Sequence, residues 1–301
     1  RRRRCTGRAT RGGREHARQR ADVITVTGVA VHPVKSTAVR HVDQAQVEPW
    51  GLHDDRRWMI VDPTGECLTA REHAPLLTVR AMTATTDPGL PVPLRLRAPG
   101  VEPLDGDQPH ADPVTVTVHG RSLDAVCAPP EATTWLTAAL GIDGLRLVHV
   151  HRPRPLNPQY GLPGEATAFA DGYPVTLASA ASLRRLDDWV TDGALEREDV
   201  ARHPMAVDRF RPNLVVDGDL EAFEADHWRS VLIGDVSFRV VKEVDRCVLT
   251  TIDPTTLERG HEPIRTLARH RRRDGRTWFA MHLVPQVRGV VRVGDEVTPG
   301  R

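Results

Sequence analysis

The stretch "DRCVLTTIDP" (Asp245 to Pro254) sets a lone thiol, Cys247, between Arg246 and a polar, β-branched run that ends at Asp253. A thiolate is both a nucleophile and a soft metal ligand, and an adjacent guanidinium favours that form of the group. Thr250, Thr251 and Asp253 supply hydroxyls and a carboxylate able to order a ligand by hydrogen bonds or to relay a proton. Taken alone, a cysteine in an apolar run is most often a small buried residue with no chemistry. The other three cysteines, Cys5, Cys67 and Cys127, stand far off, with no C-x-x-C spacing. That scatter is neither a disulfide framework nor a zinc-finger pattern, and it fits a reducing compartment, so a cytoplasmic location is expected.

Four more stretches could meet an anion. "HPVKS" puts Lys35 after a proline at the end of a strand, followed by Ser36, and "DDRRW" offers Arg56. "LTARE" offers Arg71, and "DRFRPN" offers Arg211 and Asn213, with Pro212 fixing the backbone between a fork-shaped donor and an amide. Singly, each reads as a solvated cation or a surface ion pair of little worth. Together with Cys247 they describe an anionic, heteroatom-rich ligand near a soft metal.

The elements that must position them are mostly strands. Alternating, β-branched runs predict strands over 22–36, 57–61, 66–70, 76–82, 92–97, 114–118, 121–127 and 145–150. Helix 131–140 follows Pro129-Pro130 and stops at Gly141. Residues 151–169, rich in Pro and Gly, predict a linker. Beyond it come helix 179–190, strands 213–217, 231–233, 236–244 and 247–252, a short helix 262–270, and strands 277–284 and 288–297. The class is α+β, mostly β, with a β-rich domain over 23–150 and a second domain over 170–299.

Charge excludes one class of function. The first 20 residues hold nine arginines and one acid, leaving 32 basic against 39 acidic residues in the rest. A body of that balance presents no basic nucleic-acid face. The arginine-rich head, 1–22, reads as a transit segment, a basic arm or a disordered end, and disorder is expected because it has no apolar face to bury. No run is long and apolar enough to span a membrane. A monomer is expected.

The chain resembles the MOSC superfamily, named for the C-terminal domain of molybdenum cofactor sulfurases. "VDRCVLTTIDPTT", "RPNLVV", "HPVKS" and "DRRWMIVDPTGECLTARE" carry the resemblance, which covers about 23–298. It is strongest to the branch with an N-terminal β-barrel domain, which includes the mitochondrial amidoxime-reducing component and bacterial proteins that detoxify N-hydroxylated bases. The resemblance implies a MOSC β-barrel in the second domain and molybdenum cofactor in the cleft between the two. It implies Cys247 as the protein's ligand to molybdenum, and Asp253 as a pterin anchor or proton relay. It implies cofactor contacts from Lys35, Ser36, Arg56, Thr69 and Arg71 in the first half, and from Ser179, Arg211, Asn213, Arg246, Thr250 and Thr251 in the second. The implied reaction is oxygen-atom abstraction from an N-hydroxylated substrate; the alternative is a carrier of cofactor or sulfur without turnover. "KSTAVR" departs from the family's usual continuation after P-V-K-S. No four-cysteine ferredoxin cluster is present, so electrons are expected from a separate reductase or ferredoxin.

Overall fold

The structure, a computed structural model, describes residues 23–199 and 204–301. The arginine-rich head lies outside the described residues.

The largest sheet runs, in spatial order, Arg40–Val42, Thr25–Val31, Leu214–Asp217, Val175–Ser179, Arg276–Pro285, Val236–Asp245, Ser230–Ile233 and Val297–Gly300, with Arg272–Arg273 paired off the path. Its pairs are antiparallel except Leu214–Asp217 with Val175–Ser179. Val26 N donates to Asp295 O, Gly294 N to Val26 O and Val297 N to Ile24 O, at 2.8–2.9 Å. These bonds bring the last strand back to the first, so the sheet closes into a barrel and leaves few unpaired edge groups. Alternate residues fill the interior, among them Val26, Leu177, Leu214, Phe238 and Leu283. Residues 25–52 are thus built into the C-terminal sheet system: Thr25–Val31 lies inside the barrel sheet, and Gln44–Glu48 pairs with Gly289–Arg292.

The rest of the N-terminal half is a four-stranded antiparallel sheet of Trp58–Val61, Arg146–Val150, Arg121–Cys127 and Val114–Val118. Helix α1, Pro130–Leu140, buries Ala132, Trp135 and Leu136. Gly141 ends it in the left-handed conformation, φ +68°, with its N–H on Thr137 O, as the sequence predicts. A smaller sheet joins Arg80–Met82, Leu94–Arg97 and Leu104–Gly106. Helix α2, Ala180–Glu196, runs past its expected end because Thr191, Asp192 and Gly193 do not stop it, and α3 spans Ile264–His270. Among the described residues no helix is long and apolar enough to cross a membrane.

Three expected strands are absent as such. Residues 66–70 make only isolated bridges at Glu66 and Cys67. Residues 74–78 form a 3-10 turn, leaving strand only at Arg80–Met82. Residues 248–251 also form a 3-10 turn, led by Cys247. The stretch expected as a linker carries a short pairing, Arg154–Pro155 with Ala166–Thr167, and buries Leu156 and Phe169 in the core.

Candidate functional site

Two chain reversals build the first wall. Past the barrel strand, Val34 bridges Trp58, and Lys35 N donates to Trp58 O at 2.8 Å, which fixes the backbone under the lysine. Lys35 is buried; its Nζ donates to Phe169 O at 2.8 Å and to the Asp171 carboxylate. Ser36, Arg56 and Arg211 all take positive φ, +66°, +51° and +50°. Non-glycine residues hold that conformation at a cost and persist where their surroundings over-determine it.

Arg56 shows how. Its Nη1 donates to the buried Asp55 carboxylate and to Asn213 Oδ1 at 3.2 Å, while Nη2 donates to Arg211 O at 3.3 Å. The other Asp55 oxygen accepts from His32 N at 2.8 Å and faces the His32 ring at 3.3 Å. Burial works to raise the Asp55 pKa, but Arg56 and the His32 contacts overcome it and hold the carboxyl far below its ordinary range. Burial, with Arg56 and Arg211 nearby, pushes His32 down to about 3, so its ring is neutral.

Asp171 is the hub of the wall beside Lys35. It pairs with Lys35, with Arg71 Nη2 at 3.0 Å and with His119 Nε2 at 3.1 Å. Half of its side chain is exposed, on the wall of the cavity. Desolvation there raises the Asp171 pKa, but Lys35 and His119 outweigh it and hold the carboxyl well below its ordinary value. His119 Nε2 lies 3.1 Å from Arg71 Nη2 as well, so it accepts from the arginine when it is the unprotonated ring nitrogen and donates to Asp171 when it carries the proton.

Strand Val236–Asp245 delivers the thiol. Cys247 is exposed and extended, φ −109° and ψ 175°, and its carbonyl accepts from Thr250 N and Thr250 Oγ1 at 3.2 and 3.0 Å. The turn thus occupies the cysteine's backbone, while its side chain stands exposed beside Arg71. Arg246 donates Nε to Phe279 O at 2.9 Å and Nη1 to Phe210 O at 3.2 Å, and burial lowers its pKa to about 10. The other described cysteines differ: burial pushes the Cys67 thiol up to about 11, and Cys127 is half-buried beside Arg146.

These parts enclose one cavity of about 760 Å³. Lys35, Ser36, Arg56, Thr69 and Arg71 line it from one half of the chain, and Arg211, Arg246, Cys247 and Thr250 from the other. Nine of its lining residues are Lys or Arg and three are Asp. Several of these side chains hold buried nitrogens without a partner: Arg71 Nε, Arg211 Nη2, Arg246 Nη2 and His282 Nδ1. Unpaired donors beside a cationic cavity fit a ligand rich in anionic and acceptor atoms. Among the described residues no cluster of three His, Cys, Asp or Glu is placed to hold a metal, so a metal at Cys247 would bring most of its ligands with it.

Four sequence candidates lie off the cavity wall. Ser179 caps α2, accepting from Ser182 N at 3.1 Å. Asn213 is fully buried and ties Arg56 to Ala30 O and Thr176 N. Thr251 Oγ1 donates to Val248 O at 2.7 Å inside the turn. Asp253 accepts from Thr255 N and Thr256 N and from Arg209 Nη2 at 2.7 Å, so it folds the turn and steers a lining arginine. Each acts through a neighbour because its polar atoms are already spent on the backbone or on another side chain. Sequence reasoning missed Asp171, His119, Arg209 and His282. Asp171 stands just past the stretch read as a linker and ahead of the expected helix 179–190, and a carboxylate in "FADGYP" gives no periodic signal.

Comparison with known proteins follows the same division. Residues 23–143 match the MOSC N-terminal beta barrel domain and residues 165–298 the MOSC domain. The chain is 32% identical to mitochondrial amidoxime reducing component 2 of Rattus norvegicus over 93% of its own length and 84% of that protein's. It is 30% identical to mitochondrial amidoxime-reducing component 1 of Homo sapiens, over 91% and 82%. It is also 30% identical to the molybdenum cofactor sulfurase of Anopheles gambiae, over 85% of this chain but 33% of that protein.

Proposed function

Because the chain belongs to the MOSC family and carries both the N-terminal barrel domain and the MOSC domain, we propose that it is a molybdenum-cofactor oxidoreductase acting on N-hydroxylated compounds. The observation that carries this reading is the accessible Cys247 thiol on a cavity walled by nine cations drawn from both halves of the chain. The names of the amidoxime-reducing relatives support the direction of the chemistry.

When bound, molybdenum cofactor supplies two-electron oxygen-atom transfer. The chain's residues hold and shape it. Cys247 is the protein's thiolate ligand, a soft donor suited to a metal already carrying sulfur. Lys35, Arg56, Arg71 and Arg211 hold phosphate and pterin acceptors by charge-assisted hydrogen bonds. Asp55 and Asn213 keep Arg56 pointed, so little is lost in ordering it on binding. Reduction of an N-hydroxyl group consumes protons, and His119 Nε2, beside Asp171, is a cavity-wall group able to pass one on. A separate reductase or ferredoxin supplies the electrons.

The sulfurase likeness and the exposure of Cys247 favour one other reading, a carrier that passes on cofactor or sulfur without turnover. Reduction of benzamidoxime with a chemical electron donor separates the two. Wild type turns over. Cys247→Ala keeps part of its cofactor through the cationic wall, and its rate per bound molybdenum falls at least about a hundredfold. Cys67→Ala, which removes a buried thiol, serves as the control. Wild-type turnover per molybdenum in Cys247→Ala, or no turnover in any form, overturns the oxidoreductase reading.

A further inference from the structure

The mouth of the cavity carries a feature that cofactor binding does not use. Lys242, Val244 and Asp245 at the end of strand Val236–Asp245 line the cavity, as do Arg246 just past it and Arg276, Trp278 and His282 on the neighbouring strand Arg276–Pro285. Lys242 Nζ sits over two rings, 4.9 Å from the centroid of Tyr160 and 5.3 Å from that of Trp278. Among the described residues it makes no ion pair. The other mouth and wall cations are mostly committed: Arg276 to Asp245, Arg209 to Asp253, Arg71 to Asp171. Burial and the nearby Arg276 lower the Lys242 pKa, and the more distant Asp245 and Glu243 carboxylates only partly offset them.

The third wall of this mouth is fixed in place. Tyr160 sits on the loop before Ala166–Thr167, and Arg239 pins that loop by donating to Glu165 and, at 3.1 Å, to Tyr160 O. Tyr160 nevertheless stays 39% exposed, a large aromatic face open at the cavity mouth. Lys242 stands five residues before Cys247 and lines the same cavity, so at most about 18 Å of backbone separates them. A substrate of one ring and a short arm spans a distance of that order.

We propose that the mouth is a subsite for the non-reacting end of the substrate, and that it selects a planar N-hydroxylated compound bearing a carboxylate. The carboxylate meets Lys242 Nζ, and the ring lies against Tyr160 and Trp278. This inference rests on the reductase reading of the same cavity.

Binding is measured separately from turnover, by calorimetry on the cofactor-loaded protein, with 4-carboxybenzamidoxime, benzamidoxime and 4-(aminomethyl)benzamidoxime as probes. The acid binds about tenfold more tightly than the neutral probe, the size expected of one charged hydrogen bond, and the amine binds most weakly. Lys242→Gln brings the three probes within about threefold of one another, while Lys242→Arg keeps the order. Equal binding of all three, tightest binding of the amine, no binding of any, or an acid preference that survives Lys242→Gln overturns the subsite. A preference intact in binding with no turnover of any probe overturns the reductase reading and leaves the subsite standing.

Discussion

At the scale of single residues, the site depends on buried groups that never face its ligand. Asp55 is the central case: fully enclosed, it can remain ionised only because Arg56 and His32 satisfy both of its oxygens. His32 is the other half of that arrangement, and its pKa of about 3 gives it a measurable consequence. Folding depresses this base from 6.5, so between pH 6.5 and 3 the unfolded chain binds the proton and the folded chain does not. Stability from this group is therefore complete above pH 6.5 and is lost as pH falls toward 3, by about 1.4 kcal/mol per unit. Unfolding free energies of wild type and His32→Gln between pH 6 and 4 test this. The wild-type slope exceeds the variant's by about that amount, and parallel slopes contradict the neutral, buried ring.

At the scale of elements, the turn after Cys247 shows what sequence reading could and could not reach. Val248 to Ile252 is β-branched enough to predict a strand. The threonine hydroxyls decide otherwise: Thr250 and Thr251 bond to carbonyls three residues back and wind the chain into a 3-10 turn. Motif residues in Pro-marked reversals, Lys35 and Arg211 above all, were legible because their spacing carries the signal. The Tyr160 loop and Asp171 just past it were not, since a Pro- and Gly-rich stretch looks the same in a linker and in a cavity wall. Strands of two or three residues, such as Arg40–Val42 and Gly51–Leu52, lie below what alternation can show. The same turn assigns Asp253 a positioning role. Asp253→Ala removes acceptors from two backbone N–H groups and from Arg209, and it lowers stability by about 1–3 kcal/mol. Cofactor content falls with it, while turnover per bound molybdenum stays within about threefold. Denaturant unfolding and metal-normalised rates check this; a collapse of the metal-normalised rate would place Asp253 in the chemistry.

At the scale of the whole molecule, the two halves are joined by main-chain pairing as well as by the cavity. Thr25–Val31 lies within the barrel sheet between strands 40–42 and 214–217, and it leads directly into Lys35. The barrel therefore sets the position of the first cationic motif relative to Arg211 and Cys247 across the cavity. A mostly β architecture was legible from alternation alone; this interleaving was not, because pairing between Thr25–Val31 and Leu214–Asp217, so far apart in sequence, leaves no local trace. The central claim is that this shared wall holds molybdenum cofactor at Cys247. Metal and pterin analysis of protein purified from a host that makes the cofactor tests it most directly. The account predicts about one molybdenum per chain with a matching pterin, and molybdenum content reduced but not abolished in Cys247→Ala. Molybdenum-free protein from such a host, or zinc alone, would contradict it.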